Sequence, residues 1–376
     1  MDLAEYAEWR QTVMDLVESG GLVMLMGAPD TGKTTLTTLL LLQALQTGAR
    51  TILIDADVGQ SEMGPPSTVS LGLLSEPFEG IASIRPAAAA FVGATSPAFR
   101  TIEHLVAVHQ MACHARQQKP QLIVVDTSGL VLGTVGLRLK RAKIDLLQPD
   151  QLIILQRSGE CEPIMVGRQY ASLPVTHRLP VPACIKTKSN GLRASRRAMR
   201  FAHYFREAEM RTVELNRVDI LGSWLGRGRP APPAALTQIS RALRITVEYA
   251  EIIGQRLGLL LRTREMANAE KEGKLIDRNG AMIIHPPLKD ELMQQCGLEI
   301  FRITPVGRLQ HALVGLLDRE GSFLGLGLIE SLDFRARRAG IFTPVKGIGA
   351  VCSMQIGAHR IRPDGVEIGL IERNEL

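Results

Sequence analysis

The sequence predicts an α/β chain, a parallel sheet flanked by helices and followed by a smaller, mostly β domain. Three observations carry that expectation. The stretch "GAPDTGKTTL" (27–36) fills the pattern G-x-x-x-x-G-K-[ST] between an apolar strand-like run and an apolar helix-length run. Up to about residue 210, short β-branched runs with polar C-terminal ends alternate with helix-length segments. From about residue 215 onward, short apolar runs and Gly-rich turns replace that alternation.

The opening "MDLAEYAEWRQTVMDLVESG" carries acids and no apolar core, so it predicts an amphipathic helix entering the fold and no signal peptide. "GLVMLM" (21–26) has the length and texture of a buried parallel strand. Gly27 and Gly32 let the backbone of Ala28, Pro29, Asp30 and Thr31 wrap around phosphates, in the manner of a P-loop NTPase. Lys33 is expected to reach the β/γ oxygens and the Thr34 hydroxyl to ligate Mg²⁺, with Thr35 completing the phosphate-binding turn. "TTLTTLLLLQALQTG" predicts a helix closed by Gly48, its N-terminus aimed at the anion.

"TILIDAD" (51–57), "QLIVVDTSG" (121–129) and "QLIILQR" (151–157) read as further strands. "SPAFRTIEHLVAVHQMACHARQQ" reads as a helix starting at its Ser-Pro signal. A doubly wound sheet binds ligands at the carboxyl ends of its strands, where Asp55, Asp57 and Asp126 stand. Two carboxylates at i and i+2 of a strand end are expected to point the same way, one holding Mg²⁺ through water and the other serving as general base. The histidines 104, 109 and 114 read as surface or packing residues.

In the second part, "LGRGRPAPPAAL" reads as a linker or loop and "RTREMANAEKEGKLIDRNG" as a surface loop or short helix. Two apolar runs around "DREGS" predict a hairpin. The expected domains are 1–214 and 215–376. A chain of 376 residues has room for two cores. No apolar stretch approaches the ~20 residues that cross a bilayer, so no membrane partner is expected. Five scattered cysteines without a C-x-x-C pair suit a reducing cytoplasm and predict neither disulfides nor zinc. The net charge of +6 is compatible with a polyanionic partner but does not identify one.

"GAPDTGKTTL", "IDADVGQSEMGPP", "FVGATSP", "VVDTSGLVLG" and "KSNGLRASRRAMRFAHYF" occur in an order and spacing that resembles the polynucleotide 5′-hydroxyl kinases of RNA processing. The family includes the kinase subunit of the cleavage-and-polyadenylation machinery and the nucleolar ribosomal-RNA-processing kinases. The resemblance continues through "GLLDREGSFLGLGLIESLD" and "IFTPV", and with the P-loop at residue 27 it is to the compact prokaryotic form. It implies transfer of the γ-phosphate of ATP, or of GTP, to the 5′-OH end of single-stranded RNA or DNA. Asp57 matches the general base, while Asp55 and Gln60 match positions that help hold the hydrated metal. Thr127, Ser128, Gly129 and Leu130 fall on the T-x-G-W clasp at the substrate end, and the arginines of "GLRASRRAMR" on a lid.

The chemistry of a lid suits those arginines. Phosphoryl transfer spreads negative charge over the equatorial oxygens, which mobile guanidinium groups stabilise. Arg193, Arg196, Arg197 and Arg200 lie at i, i+3, i+4 and i+7, so one helix face is expected to carry them, with Arg193, Arg197 and Arg200 as the catalytic candidates. Three positions depart from the family pattern: Leu130 replaces the clasp tryptophan, Ala94 replaces a polar residue, and Asp126 stands where asparagine is frequent. A different class of function is a nucleotide-gated ATPase or GTPase that uses the lid as a nucleic-acid-binding switch without kinase chemistry. Intact Lys33, intact Asp57 and the Arg-rich lid favour the kinase.

Overall fold

In β1 (Gly21–Gly27), Leu22, Met24 and Met26 join one hydrophobic cluster while Val23 and Leu25 join another. A strand buried on both faces belongs in the middle of a layered α/β sheet. The protein is represented by a computed structural model that describes residues 6–167, 174–243, 245–262, 270–272, 275–278, 281–284, 290, 294, 297–334 and 336–371. The chain divides into two compact units, Met1–Arg200 and Phe201–Leu376.

The first unit begins with α1 (Ala7–Ser19), which buries Trp9, Val13, Leu16 and Val17 as an amphipathic helix should. After β1 come α2 (Lys33–Thr47), β2 (Thr51–Ala56), β3 (Thr68–Leu73) and β4 (Ala88–Phe91). α3 (Thr101–Gln117), β5 (Leu122–Thr127), α4 (Gly133–Leu147), β6 (Gln151–Gln156), α5 (Glu162–Met165), β7 (Val175–Pro180) and α6 (Asn190–Tyr204) follow. The sheet order is β4-β3-β2-β5-β1-β6-β7. Strands β2, β5, β1, β6 and β7 run parallel, while β3 and β4 add an antiparallel edge. One face packs on α3 and α4, the other on α1 and α2.

α3 begins at Thr101, later than its Ser-Pro signal. Ser96 and Pro97 instead form a turn in which their carbonyls accept the Phe99 and Arg100 N–H groups and the Thr101 hydroxyl bonds Pro97 O. β3 and β4 are not among the strands that the sequence predicts.

The second unit holds β8 (Glu209–Glu214), β9 (Asp219–Leu221), β10 (Arg229–Pro230), α7 (Pro233–Leu243), β11 (Val247–Ile253) and β12 (Arg256–Leu261). β13 (Leu275–Arg278), β14 (Ala281–Ile284), β15 (Glu299–Pro305), β16 (Ala312–Leu317), β17 (Phe323–Asp333), β18 (Arg338–Thr343), β19 (Ser353–Ile361) and β20 (Glu367–Leu370) complete it. A seven-stranded sheet runs β20-β19-β16-β17-β18-β8 with β9 beside β19, and a four-stranded one runs β10-β11-β12-β15. The β16–β17 hairpin closes around "DREGS", as its turn residues predict. The sequence places a boundary at 214/215, whereas the units divide at 200/201, within α6, and β8 pairs with β18 inside the second unit.

"LGRGRPAPPAAL" is not a linker. The Glu251 carboxylate takes the Gly226 and Gly228 N–H groups, Arg229–Pro230 pairs with β11, and Pro233 starts α7. Most of the polar stretch 262–280 lies outside the described residues. Among the described residues, no helix is long and apolar enough to cross a membrane.

Candidate functional site

The loop between β1 and α2 is built as its glycines require. Gly32 sits at φ +88°, a left-handed conformation, and a Cβ there would lie 2.8 Å from the Trp9 ring, so α1 backs the phosphate loop directly. Thr31 Oγ1 donates to Ala28 O at 2.9 Å and stiffens the turn. The buried Lys33 Nζ donates to Gly27 O at 3.0 Å and Ala28 O at 2.7 Å. Burial pushes its ammonium pKa down, against the pull of Asp126 and Asp57.

The three acids do different things. Thr34 Oγ1 donates to Asp126 Oδ2 at 2.7 Å, while Asp126 Oδ1 is buried with no hydrogen-bond partner among the described residues. Burial, reinforced by the charge of Asp55, holds the Asp126 carboxyl up at about 7. Asp55 is also pushed up by burial, to about 6, yet its Oδ2 is engaged by Ser61 Oγ, Glu62 N and Met63 N at 2.9, 2.7 and 3.1 Å. It organises the turn after β2. Asp57 lies beyond the end of that strand, and its Oδ1 accepts from Gly59 N at 3.0 Å and Gln60 N at 3.1 Å. The i, i+2 alignment expected of Asp55 and Asp57 needs both on the strand; β2 stops at Ala56, and the two carboxylates take different partners, while Asp57 N donates to Asp55 Oδ1 at 3.2 Å.

These donors fit a hard cation. The Thr34 hydroxyl and the orphaned Asp126 Oδ1 are oxygen ligands at the foot of the phosphate loop. Among the described residues no group of three or more His, Cys, Asp or Glu side chains could hold a metal.

A cavity of about 910 Å³ opens over the loop. It gathers Pro29, Asp30 and Gly32 to Thr35, then Asp57 and Gln60, then Ser128 to Leu130, and Arg193 and Arg197. Gly27, Ala28, Thr31, Asp55, Thr127 and Arg200 stand outside its lining. Gly129 comes so close to the phosphate loop that a Cβ would lie 2.6 Å from Pro29 N. Beside it, Ser128 Oγ is buried with no hydrogen-bond partner among the described residues. Leu130 forms part of the wall, with Leu132 and Leu192.

The four arginines of α6 separate. Arg193 Nη2 donates to Asp30 Oδ2 at 2.5 Å and Nη1 to Asn190 Oδ1 at 2.9 Å. Arg197 lines the cavity, Arg200 Nη1 donates to Glu62 O at 2.5 Å, and Arg196 is exposed. Gln60 Nε2 reaches Arg193 O at 3.3 Å. His104 is fully buried with Nε2 on Ala56 O at 3.0 Å, while His109 and His114 are exposed. Sequence reasoning misses Lys140 and Lys143, both fully buried on α4. A signal exists: Leu139, Ile144 and Leu147 set the apolar stripe of that helix, and both lysines fall on it.

Residues 27–207 match the family described as mRNA cleavage and polyadenylation factor CLP1 P-loop. A polyribonucleotide 5′-hydroxyl-kinase of Pyrococcus horikoshii is 28% identical over 94% of this chain and 90% of its own length. One of Methanocaldococcus jannaschii is 27% identical over 94% and 91%. Among solved structures, a Clp1p–Pcf11p complex aligns with a TM-score of 0.57 at 14% identity, covering 95% of this chain and 79% of that one, which is a likeness of fold.

Proposed function

We propose that this chain, whose residues 27–207 match the CLP1 P-loop family, is a polynucleotide 5′-hydroxyl kinase. It transfers the γ-phosphate of ATP, or of GTP, to the 5′-OH of single-stranded RNA or DNA. The observation that carries the reading is one cavity holding Lys33, Asp57, Arg193 and Arg197 together. The two archaeal relatives, similar over nearly their whole length, bear the name of that activity.

Asp57 takes the proton of the acceptor hydroxyl. Its Oδ1 is fixed by two N–H groups, and its Oδ2 accepts no hydrogen bond from the described residues. The hydroxyl oxygen bonds to the γ-phosphorus as the bond to the β–γ bridging oxygen breaks, releasing the nucleoside diphosphate. Lys33, Arg193 and Arg197 stabilise the charge that develops on the transferring group. Thr34 and Asp126 would hold Mg²⁺, which when bound neutralises charge on the β- and γ-oxygens. Ser128 to Leu130 form the wall against which the acceptor end seats.

The test is to incubate the protein with γ-labelled ATP and a 5′-OH oligonucleotide, beside Lys33→Ala. Label on the oligonucleotide with the wild type and none with the variant is the expected result. Hydrolysis of ATP with no labelled oligonucleotide would assign the switch reading instead.

A further inference from the structure

Lys140 is fully buried in the middle of α4, and its Nζ donates to Thr127 Oγ1 at 2.7 Å and to Ser128 O at 2.5 Å. The acceptors are consecutive residues, the last of β5 and the first beyond it. Thr127 Oγ1 already donates its hydrogen to Leu25 O at 2.7 Å, so toward the lysine it can only accept. The next residues, Ser128, Gly129 and Leu130, line the cavity, and Gly129 closes onto Pro29 of the phosphate loop. Desolvating an ammonium group is costly, and an apolar side chain of similar length would fill the same space without that cost. The two hydrogen bonds are what a methionine or leucine there could not supply.

We propose that Lys140 is a positioning residue for the acceptor. Through Thr127 and Ser128 it fixes the 128–130 wall at the distance from the phosphate loop that seats a 5′ end beside Asp57. The inference rests on the kinase reading of the cavity, and it concerns a residue that never touches substrate. Lys140 sets where the acceptor lies, not how the phosphate is held.

The experiment compares wild type, Lys140→Met, Lys140→Gln and Arg138→Met, the last an exposed arginine on the same helix. Each is measured for melting temperature, nucleotide affinity, kcat and acceptor KM, and for affinity toward a fluorescent 5′-OH oligonucleotide. Losing both hydrogen bonds in Lys140→Met is expected to raise acceptor KM roughly tenfold, the scale of two net buried hydrogen bonds. Its melting temperature is expected to hold, because methionine fills the same buried space without a polar head to desolvate, and its nucleotide affinity to change less than about twofold, because the phosphate loop keeps its own hydrogen bonds. Lys140→Gln, which keeps a donor, should recover part of the loss, and Arg138→Met should match wild type. Wild-type acceptor KM in Lys140→Met overturns the proposal. So does a variant whose stability, nucleotide affinity and acceptor affinity all fall together, or a Lys140→Gln no better than Lys140→Met. Should the wild type bind the oligonucleotide yet transfer no phosphate, the kinase reading fails, and the oligonucleotide affinities alone decide the role of Lys140.

Discussion

Arg193 Nη2 donates to Asp30 Oδ2 across 2.5 Å, so the first lid arginine rests on an acid of the phosphate loop itself. The same oxygen takes the Lys188 N–H at 2.9 Å, tying the approach to α6 onto the loop. A γ-phosphate must draw Arg193 away from this partner. Asp30→Asn keeps an acceptor for the Lys188 N–H and removes the competing charge. It is expected to tighten ATP binding relative to ADP by roughly two- to fivefold, since such pairs are worth ~0.5–1 kcal/mol. Calorimetric titration with both nucleotides checks it. An equal change for both would mean that Asp30 does not compete with the γ-phosphate.

The separation of the lid arginines gives a ranked expectation. Arg193→Ala and Arg197→Ala remove cavity-lining cations and are expected to lower kcat roughly hundredfold, the scale of one lost transition-state donor. Nucleotide affinity should fall much less, as it does for an interaction made mainly in the transition state. Arg200 acts through Glu62 O, so Arg200→Ala should cost less, and Arg200→Lys should regain most of the loss. Single-turnover rates beside nucleotide dissociation constants settle the order; an Arg200→Ala defect as deep as that of Arg193→Ala would put Arg200 on the phosphate.

Asp126→Asn makes a prediction in two directions. In the folded protein the Asp126 carboxyl is held up at about 7 by burial, well above its value of ~4 in an unfolded chain. A raised folded pKa means that the folded state binds the proton more tightly. Asp126 therefore costs no stability below ~4 and a growing amount as pH rises toward 7, with the full cost above that. Asparagine is neutral throughout and can still accept from the Thr34 hydroxyl. The melting temperature of ligand-free Asp126→Asn should thus exceed that of wild type by more at pH 8 than at pH 5. The Asp126 charge also favours the ammonium forms of Lys33 and Lys143, so the variant loses that attraction and the measured difference is the net of the two effects. Phosphate transfer should be lost in the same variant. A pH-independent difference would show that Asp126 is not held in its neutral form by the fold.

Much of this site is readable from the chain because its chemistry is local. Lys33, Thr34, Asp57 and Gln60 come from short motifs whose backbone path is set by Gly27, Gly32 and the turn after β2, so spacing alone brings them into one cavity. The β16–β17 hairpin is legible for the same reason: its turn residues sit between two apolar runs. The parts that escape depend on distant pairings. Asp55 turns onto residues 61–63 because three donors there outcompete its alignment with Asp57, and no strand periodicity reports that. The division of the lid arginines is decided by Asp30 and Glu62, more than 130 positions away in sequence. Lys140 reads as an ordinary helix lysine until α4 is docked on β5.

Leu130 forms part of the cavity wall where the family resemblance implies a clasp tryptophan. Base–aromatic stacking is worth ~1–3 kcal/mol by alanine substitution, and a leucine gives up part of that. Affinity for the 5′ end must then rest more on lysine and arginine contacts with phosphates. Such contacts do not distinguish bases, and each neutralised phosphate releases counterions, so binding weakens steeply with salt. The wild type is expected to accept all four 5′ bases and both RNA and DNA, with an acceptor KM that climbs between low and moderate salt. Leu130→Trp should lower that KM and flatten its salt dependence, because stacking adds a term that salt does not screen. Leu130 is half-buried and lines the cavity beside the exposed Leu132 and Leu192. Acceptor KM measured for both proteins across a salt series, with oligonucleotides differing only in the 5′ base, checks both expectations. Strong base discrimination by the wild type, or a KM flat with salt, would show that the 5′ end is gripped by something other than phosphate contacts.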